Sequence, residues 1–233
     1  MANILMVVSA ADSLTMRDGS EHPTGYWAEE LVVSHKTLLD AGHTVHIATP
    51  GGVKPTVDQV SLAPDSAGGQ ERAAGFREYI ASIDAQLAAP LVLAEVNVEL
   101  YDAVVVPGGH GPMTDLYKDK DLGRLLIAAD TGGKIIAPFC HGPAALLSAV
   151  SDEGKFAFEG RHLTVFTNEE ELNGGTGPNT PWFVEHALKD KGAIIDNGAA
   201  WSSNVVRSGN LITGQNPQSS EDVANEVIKA LLK

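Results

Sequence analysis

Only one cysteine, Cys140, stands in the 233 residues. No intrachain disulfide can form, so the fold must hold together by burial alone. Basic residues are scarce as well: 16 Lys+Arg face 30 Asp+Glu, a formal charge of −14. A phosphate backbone or an anionic membrane surface would be repelled, and no Lys/Arg cluster breaks the pattern, so neither nucleic acid nor membrane is an expected partner. No apolar run approaches the roughly 18 residues needed to span a bilayer. The first ten residues, MANILMVVSA, are apolar but carry no basic segment. They read as a buried strand, not a signal peptide, and with the lone thiol they point to a reducing cytoplasm. There is no internal repeat and no low-complexity stretch.

What is present alternates short β-branched runs with longer helical stretches. Strands are expected at Ile4–Val8, Thr44–Ala48, Asp102–Val106, Lys134–Phe139 and His162–Phe166, with a short pair around Ser208-Gly209-Asn210. Helices are expected at Tyr26–Ala41, Asp121–Asp130, Pro143–Val150, Trp182–Lys189 and Glu221–Leu232. Such alternation implies βαβ units and a mostly parallel sheet covered on both faces, an α/β fold. The stretch 53–100 is less regular, with Pro55, Pro64, Gly68-Gly69 and a helix near Gln70–Ala88. It reads as a cap-like insertion without a core of its own, within a single domain over 1–233.

The segment Lys134-Ile-Ile-Ala-Pro-Phe-Cys140-His141-Gly142-Pro143 reads as a strand turning sharply into a helix. A side chain at such an apex, a nucleophile elbow, is lifted above the carboxyl ends of the strands. Gly142 permits close approach, and Pro143 suits a first turn that needs no N–H. The helix dipole is expected to favour the Cys140 thiolate, and the His141 N–H to serve an oxyanion. A buried, inert cysteine is the alternative.

Pro107-Gly108-Gly109-His110-Gly111 follows another strand and would expose backbone N–H groups at the same sheet edge. Gly108, Gly109 and His110 are therefore oxyanion or substrate-binding candidates, with His110 otherwise a loop histidine bonded to backbone. On the first helix, spacing groups Trp27, Leu31, Ser34 and Leu38 on the buried face. Glu30 borders that face while Glu29 looks solvated, so Glu30 is the carboxyl expected to hold its proton at neutral pH. Among eight histidines there is no HExxH. The pair His43/His46 lies on a strand whose faces alternate, and His22 and His35 read as surface residues, so no metal site is expected.

Together these residues resemble the PfpI superfamily, relatives of class I glutamine amidotransferases. Within it they resemble the glutathione-independent glyoxalase branch (glyoxalase III, D-lactate dehydratase), whose members are also described as chaperones. The resemblance rests on Thr24-Gly25 with Glu30, Val106-Pro-Gly-Gly-His-Gly111, Cys140-His-Gly-Pro143, Phe166-Thr-Asn168 with its acids, Pro181-Trp-Phe-Val-Glu185 and Thr213-Gly-Gln-Asn-Pro217. It implies a flavodoxin-like three-layer sandwich and a homodimer. It also implies that Cys140 is the nucleophile and that Glu30 is a protonated carboxyl on its sulfur. One of Glu169, Glu170 and Glu171 would orient His141; spacing from Thr167 favours Glu171, the other two being solvated.

The function so implied is a cofactor-free conversion of methylglyoxal, or a similar small 2-oxoaldehyde, to a 2-hydroxy acid through a cysteine hemithioacetal. A cysteine amidase or peptidase would use the same Cys-His-acid set. A chaperone or an oxidation sensor would use the same thiol without turnover.

Overall fold

The computed structural model describes residues 1–232. The chain opens with β1 (Asn3–Val7), then a small hairpin of β2 (Ser13–Thr15) and β3 (Glu21–Pro23), then α1 (Ala28–Asp40) and β4 (Thr44–Thr49). The segment after β4 carries α2 (Pro64–Ala67), α3 (Gln70–Ser82), α4 (Asp84–Ala88) and the short strand β5 (Leu91–Val92). Next come β6 (Ala103–Val106), α5 (Lys120–Thr131), β7 (Ile135–Pro138), β8 (His162–Leu163), α6 (Asn168–Gly174), α7 (Val184–Asp190) and β9 (Ile194–Ile195). The hairpin β10 (Val205–Ser208) and β11 (Leu211–Gly214) leads into the final helix α8 (Ser220–Leu231).

Seven strands form the central sheet in the order β10-β11-β7-β6-β1-β4-β5. Every pairing in it is parallel except β10 with β11 at one edge. The strands are apolar on both faces because both faces are covered. Along β1, Leu5 and Val7 enter one core with Val104, Ile136 and the α5 residues Leu122 and Leu126. Ile4, Met6 and Val8 enter the other with Leu31 and Leu38 of α1 and Val223 and Val227 of α8. This is the three-layer α/β sandwich expected from the alternation of elements.

Three expected elements differ. The helix expected over 70–88 is two helices, α3 and α4, broken at Ile83. The strand expected at His162–Phe166 is regular only over His162–Leu163, where it pairs with β9 outside the main sheet. Beyond it, side chains replace ladder partners: the Thr164 N–H donates to Thr213 Oγ1 at 2.9 Å. The helix expected from Pro143 is a run of 3-10 turns over Gly142–Ser148.

The 53–100 segment has no isolated core; Leu62, Ala67, Ala73 and Phe76 pack with Ala28 and Val32 of α1. It also fixes the start of that helix. The Tyr26 N–H donates to Thr56 O and the Asp58 N–H to Tyr26 O, both at 2.9 Å. The Ala28 N–H donates to Ser61 Oγ at 2.9 Å, a cap supplied from outside the helix. A Cβ at Gly25 would lie 2.0 Å from Thr56 O, so only glycine lets the two segments meet. Of the two histidines read as surface, His22 is half-buried and His35 is fully buried, its Nδ1 2.8 Å from the Tyr79 hydroxyl.

Candidate active site

The carboxyl ends of β6 and β7 and the first turn of α1 converge on Cys140. Its backbone has φ 57°, a left-handed conformation that costs a non-glycine residue about 1–3 kcal/mol. The turn is tied on both sides: the Cys140 N–H donates to Gly214 O at 2.9 Å, and the Phe166 N–H donates to Cys140 O at 3.0 Å. At Gly142 a Cβ would lie 2.1 Å from Val106 O, so the elbow closes only over glycine. This is the strand-to-turn apex read from the sequence, and Cys140 is 3% exposed within it.

His141 Nδ1 lies 3.3 Å from Cys140 Sγ, and its Nε2 lies 2.6 Å from Glu171 Oε2. A carboxylate only accepts, so Nε2 carries the ring proton and Nδ1 offers a lone pair to the thiol. Glu171 lies in the first turn of α6. Its Oε1 accepts from the Thr176 N–H at 2.7 Å, Thr176 Oγ1 at 3.0 Å, Thr180 Oγ1 at 3.3 Å and His110 Nε2 at 3.1 Å. Of the three consecutive acids, Glu171 is therefore the one that meets His141. Glu169 is exposed, whereas Glu170, expected to be solvated, is fully buried. It accepts from the N–H groups of Thr167 and Trp201 and the amides of Gln215 and Asn216, which makes it a structural tie between α6 and the loops after β9 and β11.

Glu30 is fully buried. Its Oε2 accepts the Gly108 N–H at 2.6 Å, and its Oε1 has no aligned protein partner. Burial pushes its carboxyl up to about 8, against the Cys140 thiol and the Gly108 N–H, which both favour the carboxylate. Glu29, expected to be solvated, is half-buried and holds the Arg72 guanidinium at 2.6 Å. Gly108 does not offer a free N–H for an oxyanion, because Glu30 takes it. The N–H groups of Gly109 and His141 meet no oxygen or nitrogen partner among the described residues. Gly109 has φ +86°, and a Cβ there would strike Gly25 O at 2.3 Å.

Electrostatics correct one expectation. Burial, then the adjoining Glu30 carboxyl, push the Cys140 thiol well above its ordinary value, and the Gly109 N–H only partly opposes them. The expected helix dipole is weak here because 3-10 turns, not an α-helix, follow the elbow. The resting group is a thiol. Burial and then His110 hold His141 below its usual value, so it is a neutral base at pH 7. Burial works to raise Glu171, but His141 and His110 outweigh it and keep this carboxylate ionised.

Cys140, His141, Gly109 and His110 open on a cavity of about 50 Å³, completed by Trp27, Phe166, Gly174, Gly175, Trp201 and Pro217. His110, a substrate-binding candidate and otherwise a loop histidine on backbone, lines this cavity and binds Glu171 rather than backbone. Trp201, Gly174 and Gly175 had no signal in the sequence: their nearness to Cys140 comes only from how α6 and the loop after β9 fold over the elbow. A groove of about 840 Å³ beside α5 touches none of the residues around Cys140. Among the described residues no helix is long and apolar enough to cross a membrane.

The chain is 29% identical to the protein/nucleic acid deglycase HchA of Pseudomonas aeruginosa, over 99% of this chain and 81% of that protein. It is 28% identical to the glutathione-independent glyoxalase HSP31 of Saccharomyces cerevisiae, over 98% and 97%. The X-ray structure of a Francisella tularensis rapid encystment protein superposes with a TM-score of 0.90 at 27% identity, covering all of both chains. The DJ-1/PfpI family model matches residues 24–230. A left-handed cysteine apex between two strand ends, with a buried helix glutamate beside it and a family match over nearly the whole length, places this chain in the DJ-1/PfpI family.

Proposed function

We propose that the protein is a cofactor-free, glutathione-independent glyoxalase that converts methylglyoxal, or a similar small 2-oxoaldehyde, to the 2-hydroxy acid. The observation that carries this reading is a buried thiol set between a neutral imidazole and a carboxyl that keeps its proton to about pH 8, facing a cavity of about 50 Å³. The relative named glutathione-independent glyoxalase supports it.

The steps follow from the groups present. The Cys140 sulfur attacks the aldehyde carbon as its proton passes to His141 Nδ1. The N–H groups of Gly109 and His141 receive the developing oxyanion, which then takes that proton to give a neutral hemithioacetal. His141, neutral again, removes the C1 hydrogen as a proton while Glu30 donates to the C2 oxygen, giving an enediol. Loss of the C1 hydroxyl proton to Glu30 and delivery of a proton from His141 to C2 yield the thioester. Water hydrolyses it to the hydroxy acid and restores the thiol. The hydrogen moves within the substrate, so no external oxidant or reductant enters the balance.

Protonation argues against the hydrolase reading, since a protonated carboxyl beside the thiol has no task in acyl transfer. The relative named a deglycase supports a second reading, in which the same thiol releases an aldehyde adduct from a larger carrier that stays outside the cavity. The charge of −14 weighs against a nucleic-acid carrier. We further propose a cytoplasmic homodimer, for which sedimentation should give twice the 24.4 kDa chain mass.

The deciding experiment follows methylglyoxal loss and lactate formation by NMR without glutathione. Many turnovers per chain are expected; one equivalent consumed without lactate would mean that the thiol only traps the aldehyde.

A further inference from the structure

Behind Cys140, His141 and its partner Glu171 meet a second imidazole, His110, that the proposed steps do not use. His110 and His141 each turn Nε2 to the Glu171 carboxylate, at 3.1 and 2.6 Å. The three ligand-type atoms lie within 4.8 Å of one another, and all three residues are buried. Cys140 is not among them: its sulfur sits at Nδ1, the other edge of the His141 ring. Glu171 is braced by Thr176 and Thr180, the kind of outer support that orients a carboxylate ligand. Both imidazoles also line the cavity, which supplies an entry path and space for a water as fourth ligand.

We propose that His110, His141 and Glu171 form a binding site for a transition-metal dication of the zinc type. Two imidazoles, one carboxylate and an open position suit zinc chemistry; magnesium and calcium require oxygen-rich sets. At metal–ligand distances of about 2.0–2.2 Å a tetrahedral centre needs its ligand atoms roughly 3.3 Å apart. The 2.6 Å pair must open by several tenths of an ångström, which rotation of one ring supplies.

Occupancy has a chemical consequence. Coordination takes the Nε2 lone pair of His141, so the ring proton moves from Nε2 to Nδ1. His110 exchanges its tautomer in the same way, and no proton is gained or lost. Nδ1 of His141 then donates to sulfur and can accept a proton from neither thiol nor substrate. The metal therefore blocks the base. This inhibition rests on the glyoxalase reading; the binding does not.

The test uses full-length, chelator-treated Cys140→Ala protein, which removes the thiol as a competing ligand. Zinc is followed by equilibrium dialysis, and cobalt by its visible d–d bands. One equivalent should bind, with tetrahedral cobalt bands and no sulfur charge-transfer band. Binding should weaken at least tenfold when His110→Gln or Glu171→Gln is added, with circular dichroism reporting the fold of each variant. His110→Asn is a second probe should His110→Gln not fold. In the wild type, zinc should suppress turnover and a chelator should restore it. Failure of the folded Cys140→Ala protein to bind metal would overturn the proposal, as would binding indifferent to the residue at 110. Absence of glyoxalase activity would remove only the inhibition arm.

Discussion

Cys140→Ala is expected to abolish lactate formation from methylglyoxal, lowering kcat by about 10⁴-fold or more. Removing a nucleophile that works as a unit with its base costs on that order, because the remaining groups have no covalent intermediate to act upon. Cys140→Ser should be nearly as inactive, since a hydroxyl is far harder to ionise than a thiol held beside a neutral imidazole. The mutant fold should persist: the elbow is tied through the backbone N–H and C=O of residue 140, which neither substitution touches. The wild-type thiol should also show no thiolate absorbance at neutral pH, because burial holds its proton in place. A thiolate band at pH 7 would mean that the resting nucleophile is already ionised and that proton transfer to His141 is not part of the attack.

Glu30→Gln should separate two consequences of one buried carboxyl. In the reaction it removes the proton donor to the C2 oxygen, and kcat should fall by about 10²–10⁴-fold, the usual worth of a positioned acid. In stability the sign works the other way. The folded carboxyl titrates near 8 against 4.5 in its ordinary state. Below about pH 4.5 both folded and unfolded chains hold the proton, and no penalty applies. As pH rises toward 8 the unfolded chain releases that proton while the folded one keeps it, so stability declines by about 1.4 kcal/mol per pH unit. The loss is complete above about 8 and amounts to roughly 4–5 kcal/mol. The variant, with no proton to lose, should have a flatter stability–pH curve over this window, read by denaturant titration at several pH values. Parallel curves for the two proteins would show that Glu30 is ionised in the native state.

Neighbouring side chains set both effects, and they differ in how far they could be read in advance. Glu30 was legible because helical spacing puts it at the edge of the apolar face of α1, and a carboxyl there must be desolvated. The same spacing misplaced Glu29, because Arg72 arrives from α3, forty-three residues away, to cover it. Cys140 was legible as an apex because a strand, a Cys-His-Gly-Pro sequence and a helical stretch can hardly be joined any other way. Its raised pKa was not, since burial depends on α1 and α6 closing over it. The hydrogen-bond partner of His110 was not legible, because Glu171 is sixty-one residues away.

Local sequence by itself determined the order of strands and helices, the parallel sheet covered on both faces, the glycine-dependent turns and the chemical types gathered at one sheet edge. These follow from periodicity, from which backbone conformations a residue can enter, and from the need of apolar strands to be buried. Tertiary structure alone decided which of three consecutive acids faces His141, that Glu170 is a buried tie, and that Gly108 serves Glu30 in place of an oxyanion. It also decided the protonation of Cys140 and Glu30. The physical reason is common to all of these: hydrogen-bond partners and desolvation are properties of what surrounds a side chain in space, and here the surroundings come from residues thirty to eighty positions away along the chain.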